Sequence, residues 1–208
     1  MEGVLGGFGR LSGIDIKASQ TFLEKLKDRV PFGSSRALDC GAGIGRVTKD
    51  LLRMKFDSVD LVEPCDKLLL KAVEDLPNHR GGFYLSGLQS FDPLSPSSCI
   101  AGKEEVVHLY DCIWAQWVLL YLTGDDLVAF FKRCAAALKD ENSVICFKEN
   151  VVLQGDSVLD EDDCSLTRNV DEYRQAAHAA GLKVVLEMRQ SLWPSNCFPV
   201  VMFACQRV

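Results

Sequence analysis

Four consecutive carboxylates stand in the segment LDEDDCS, from Leu159 to Ser165, and three glycines alternate in DCGAGIG, from Asp39 to Gly45. The acids are hydrogen-bond acceptors that suit a cationic ligand, although a run of this kind is also what a solvated loop carries. The glycines are a backbone device. Glycine loses more chain entropy on folding than any other residue, so three at alternate positions imply left-handed φ or close approach to the main chain. An acid, Glu63, follows Gly45 by 18 residues at the end of SVDLVE. A carboxylate at such a strand end can accept both hydroxyls of a ribose.

These groups need elements to position them. The segment from Arg36 to Cys40 is short and apolar enough for a buried strand, and Val47, Leu51 and Leu52 follow at helical spacing. Strand, glycine turn and helix open a Rossmann-like unit. The loop pattern, D-x-G-x-G-x-G, differs from the G-x-G-x-x-G that cradles a pyrophosphate, and a tight turn with no ligand would look similar. Further along, Cys65 to Leu76 has helical spacing, GGFYLSGL reads as a third strand, and SFDPLSPSSCIAGKEE reads as a surface loop before a fourth, VHLYDCIWAQW. Thr123 offers an N-cap for a helix near Leu127 to Leu138, NSVICFKENV follows as a fifth strand, and Arg168 to Ala180 forms a helix closed by Gly181. KVVLEMRQ and PVVMFACQRV are β-rich and should pair antiparallel at the sheet edge. The expected fold is therefore α/β and Rossmann-like: a seven-stranded, mainly parallel sheet with an antiparallel edge strand and helices on both faces. Such a sheet binds its ligand outside the carboxyl ends of its strands.

Composition limits the function. A chain of 208 residues, 48% apolar, can bury one full core and fits a single domain spanning 1–208. No apolar run approaches the roughly 18 to 20 residues of a membrane span. The net charge of −6 opposes broad binding to nucleic acid. Nine cysteines, an odd number with no C-x-x-C pair, fit reduced thiols in the cytoplasm or nucleus, and His79, His108 and His178 are scattered away from any metal-ligand spacing.

Four segments, GVLGGFGRLSGIDI, LDCGAGIGRVTKDLL, IWAQWVLLYLT and KENVVLQGDSVLDEDDCS, together resemble the protein α-N-methyltransferases that modify N-terminal Xaa-Pro-Lys sequences, a class I S-adenosylmethionine-dependent family. The resemblance implies S-adenosyl-L-methionine as cofactor, held by Gly41, Gly43, Arg46, Glu63, Pro64, Leu88, Gln89 and Gln116. It implies substrate contacts from Leu5, Gly6, Trp117, Asp160 and Ser165, and catalytic roles for Asp163, Asn150 and Tyr121. Residues 1–35 would form a groove segment and the first helix, and 36–208 the cofactor-binding core with a peptide-binding loop at about 150–168. The expected partner is a protein or peptide N-terminus with a cationic third residue, with no nucleic acid and no membrane.

Three features depart from the family pattern, the first being Glu63, which stands where an aspartate is expected, although the longer carboxylate can still take two hydroxyl hydrogen bonds. Tyr121 stands where a histidine is often found, and with an ordinary pKa near 10 a phenol is a poor base at neutral pH. The family also carries an aromatic-containing helix ahead of the LGG segment, whereas this chain starts at Met1 just before it, so part of a groove wall is expected to be absent. Two other readings keep the fold: a small-molecule N- or O-methyltransferase, whose pocket would be apolar where the acids stand here, and a catalytically silent binding module.

Overall fold

The computed structural model describes residues 9–102 and 109–208. Its centre is an eight-stranded sheet made of β1 (Arg36–Cys40), β2 (Ser58–Glu63), β3 (Phe83–Leu85), β4 (Cys99–Ala101), β5 (Cys112–Gln116), β6 (Val144–Asn150), β9 (Leu182–Arg189) and β10 (Val200–Arg207). The spatial order is β4-β3-β2-β1-β5-β6-β10-β9. The five strands from β3 to β6 are parallel, so Cys40, Glu63, Gln116 and Asn150 end along one edge. Strand β10 runs antiparallel to both β6 and β9. The antiparallel strand is therefore one place in from the edge, paired with β9 as its sequence implied. The eighth strand is β4, three residues inside the stretch read as a surface loop, pairing antiparallel with β3. A separate hairpin, β7 (Val158–Asp160) and β8 (Ser165–Thr167), carries the acidic run at its tip.

Among the described residues five α-helices flank the sheet: α1 (Ser12–Lys27), α2 (Arg46–Asp50), α3 (Asp66–Asp75), α4 (Gly124–Ala136) and α5 (Val170–Ala179). Thr123 caps α4 by accepting a hydrogen bond from the Asp126 N–H, and Gly181, with φ of +75°, follows the end of α5. The alternation of a strand decides which helix each residue meets. In β5 and β6, Cys112, Trp114, Val144 and Cys146 pack with α1, while Ile113, Ala115, Ile145 and Phe147 pack with α4 and α5. Continued by two residues, the same alternation sends Lys148 to the α1 face and Glu149 to the other. Both are fully buried, and both bear on the site.

Candidate active site

The glycine loop takes the conformation its composition requires: Gly41, Gly43 and Gly45 have φ of +67°, +57° and +76°. A Cβ on Gly41 would stand 2.5 Å from the Val118 side chain, so the segment after β5 passes directly against this backbone. Asp39, which opens the motif, is structural. Its carboxylate accepts from the Thr48 N–H and hydroxyl at 3.1 and 2.7 Å, fastening α2 to β1, and burial raises its pKa to about 6. Glu63 ends β2 with Oε2 accepting from Gly43 N and Oε1 from Cys65 N, each at 3.0 Å. An ionised carboxylate has about four acceptor positions, so two remain for a diol.

The other residues expected at the cofactor divide. Pro64 and Gln89 are exposed, whereas Leu88 is 3% exposed within the main core, and its carbonyl accepts from Arg133. Gln116 is committed internally: Nε2 donates to Asp15 and Oε1 accepts from Trp114 Nε1 at 3.3 Å. Arg46 Nη1 donates to Asp15 Oδ2 at 2.7 Å. These residues surround the C-terminal ends of β1, β2 and β5 and fit an adenosyl amino acid: a diol acceptor at Glu63, a cationic fork at Arg46, and a side-chain-free loop between them.

Beside this lies a groove of about 690 Å³. It is lined by the acids of the hairpin tip, Asp160 to Asp163, with Ser165, by the aromatic side chains Trp117, Tyr121, Trp193 and Phe198, and by Asn150. Asp163 Oδ1 accepts from Ser165 N at 3.0 Å, and Oδ2 lies 3.5 Å from the Tyr121 hydroxyl. Burial first, then the charge of Asp163, raises the Tyr121 pKa, so the phenol stays protonated and acts as a donor. The indoles of Trp117 and Trp193 lie 5.9 Å apart, and both ring N–H groups are buried without a partner among the described residues. Thus Trp117, Tyr121, Asn150, Asp160, Asp163 and Ser165 are brought together as expected. Leu5 and Gly6 lie outside the described residues.

Buried ionisable groups hold this floor. Glu149 Oε1 accepts from Val118 N and Leu119 N at 2.9 and 2.8 Å, while Arg168 donates to the carbonyls of Leu119 and Leu122. Together they pin both sides of the segment that carries Trp117 and Tyr121. Trp117 has φ of +52°, a strained conformation for a bulky side chain, and its N–H donates to Lys148 O at 3.0 Å. Burial pushes Glu149 up to about 8 and draws Lys148 down to about 8, the latter opposed by Asp15. Sequence reasoning missed Asp15, Lys148, Glu149, Arg168, Trp193 and Phe198. The available signal was FKEN, two charges set inside a run otherwise fit for a buried strand.

Residues 1–206 match a family described as AdoMet-dependent proline di-methyltransferase, AdoMet being S-adenosylmethionine. The chain is 41% identical over 214 residues to the alpha N-terminal protein methyltransferase 1 of Drosophila melanogaster, covering 100% of this chain and 71% of that one. It is 38% identical over 209 residues to the N-terminal Xaa-Pro-Lys N-methyltransferase 1 of Homo sapiens, covering 98% and 87%. Among solved structures, a SAM-dependent methyltransferase from Leishmania major superposes with a TM-score of 0.85 at 37% identity, over 99% of this chain and 76% of the other.

Proposed function

The chain belongs to the AdoMet-dependent proline di-methyltransferase family, and from that premise we propose that it methylates the α-amino group of protein N-termini of the Xaa-Pro-Lys type. The observation that carries this reading is the groove, where the four carboxylates of the hairpin tip and the aromatic side chains line one cavity beside the glycine loop. When bound, S-adenosylmethionine supplies an electrophilic methyl group on its sulfonium sulfur.

The chain's residues must present an amine lone pair. An α-amino group has a pKa of about 7.7 to 8.0, so at neutral pH most of it arrives protonated. Asp163 takes that proton. Its Oδ1 is fixed by Ser165 N, which leaves Oδ2 for the amine, and the Tyr121 hydroxyl orients the same oxygen by donating to it. Asn150 can donate to and accept from the substrate terminus with one amide. Asp160 and Ser165 receive the third-residue ammonium, since a lysine head wants several oxygen acceptors. Trp117 and Trp193 cover the proline with their ring faces. The nine free thiols support a reducing compartment, cytoplasm or nucleus.

The test incubates the chain with isotopically labelled S-adenosylmethionine and three peptides: Xaa-Pro-Lys, the same peptide N-acetylated, and Xaa-Pro-Glu. Label should enter only the first. Equal transfer to the lysine and glutamate peptides would reduce the hairpin acids to a solvated loop.

A further inference from the structure

Arg46 has two edges with different fates. Nη1 donates to Asp15 Oδ2 at 2.7 Å and lies 3.4 Å from Ser12 Oγ, whereas Nε and Nη2 have no hydrogen-bond partner among the described residues, and the guanidinium carbon lies 5.9 Å from the centre of the Trp117 ring. Asp15 is wholly buried, and each of its oxygens is in use. Oδ1 accepts from Lys148 Nζ and Gln116 Nε2, Oδ2 from Arg46 and Gln116, and the main-chain oxygen from Lys148 and Ser19 Oγ. It lines the groove yet has little left to offer a ligand. Its role is to hold other groups.

Four elements meet at this carboxylate: α1 gives Asp15 itself, α2 gives Arg46, β5 gives Gln116 and β6 gives Lys148. With Lys148 protonated, the side chains of Asp15, Arg46 and Lys148 carry one more positive than negative charge, and the buried Asp39 carboxylate, whose charge also acts on Arg46, is hydrogen-bonded to Thr48 rather than to Arg46. Burial of a net charge is costly unless something pairs with it, and the unused edge of Arg46 is where an anionic group would do so. A guanidinium anchored through one nitrogen presents its remaining edge as a rigid fork, matched to a carboxylate by two parallel hydrogen bonds.

We infer that Asp15 is a positioning residue for cofactor recognition: by holding Nη1 of Arg46 and the amide of Gln116, it leaves the Nε and Nη2 edge set as the fork for the carboxylate of S-adenosylmethionine. This rests on the reading of Arg46 as the ligand of that carboxylate. It also makes α1, which borders the peptide groove, part of the cofactor site.

Calorimetry with two probes tests it. S-adenosylhomocysteine carries the amino-acid carboxylate, and 5′-methylthioadenosine shares the adenosine and thioether but lacks it. In Asp15→Asn one oxygen remains for two cations, so affinity for S-adenosylhomocysteine should fall by roughly 10- to 100-fold, as for loss of a charge-assisted hydrogen bond, while methylthioadenosine changes by less than about threefold. Because that variant strands Lys148, the double variant Asp15→Asn, Lys148→Met should recover melting temperature without recovering the S-adenosylhomocysteine loss. Equal losses for both probes, no loss for either, or recovery of affinity together with stability would each overturn the assignment and leave Asp15 as a packing residue. A wild-type chain that binds methylthioadenosine but not S-adenosylhomocysteine would remove the underlying reading of Arg46.

Discussion

Replacing Glu149 by glutamine should flatten the dependence of stability on pH. The side chain is fully buried, only Oε1 is hydrogen-bonded among the described residues, and burial lifts its pKa from the ordinary 4.5 to about 8. Between those values the folded chain holds a proton that the unfolded chain has released, so stability falls as pH rises. At about 1.4 kcal/mol per pKa unit, the interval from pH 5 to pH 8 costs on the order of 3 to 4 kcal/mol through this one group. Glutamine keeps the acceptor that holds Val118 N and Leu119 N but does not titrate. Urea unfolding of wild type and Glu149→Gln at pH 5 and pH 8 reads the difference directly. Other titrating groups, Asp39 among them, contribute alike to both chains and cancel. The variant should lose about 3 kcal/mol less than wild type across the interval. Two parallel stability curves, offset but of equal slope, would show that Glu149 does not change protonation in this range and would refute the burial argument.

Asp163→Asn preserves shape but removes the proton acceptor beside the amine, so turnover should fall by about 10² to 10⁴-fold, with the residual rate still rising through the amine pKa near 8. Tyr121→Phe should cost much less, because the phenol acts as a donor; if it is the more damaged variant in steady-state assays across pH 6 to 9, the roles are reversed. Glu63→Ala should weaken S-adenosylhomocysteine and methylthioadenosine together by roughly 1.5 to 3 kcal/mol, since both carry the ribose; calorimetry showing unchanged affinity would remove the ribose assignment.

The parts of the site legible in the sequence were those written locally. Three glycines in one turn declare their own backbone, and a strand-end acid such as Glu63 declares its position once the strand is recognised. Thr123 was legible as a cap for the same reason. Asp15 and Lys148 were not, because their meaning lies in a contact between residues 133 apart, and neither segment alone says that the other will be buried with it. From its residues alone the tip of LDEDDCS read first as a solvated loop, and only the family resemblance made it a site. What settles its form is the pairing of Asp160 with Ser165 and a left-handed Cys164, φ +58°, features that four consecutive acids do not announce. Strand β4 was hidden by its proline- and serine-rich surroundings, and its partner among the described residues is the edge of β3.

The place of β10 bears on how the chain is made. It follows β9 in the sequence but lies between β6 and β9 in space, with Val200 to Cys205 at most 2% exposed. On the ribosome, therefore, β6 waits with one hydrogen-bonding edge open, and β9 has nothing to pair with until residues 200–207 have emerged. An open apolar edge of this kind invites pairing with another chain. Synthesis stalled before Val200 would yield a species whose cofactor loop, Arg46 and Glu63 are all present, but which exposes Phe147 and Cys146 where Phe203 and Ala204 should lie. Such fragments should be held by chaperones or aggregate. Closing of the sheet thus waits on one strand that follows both of its neighbours in the sequence.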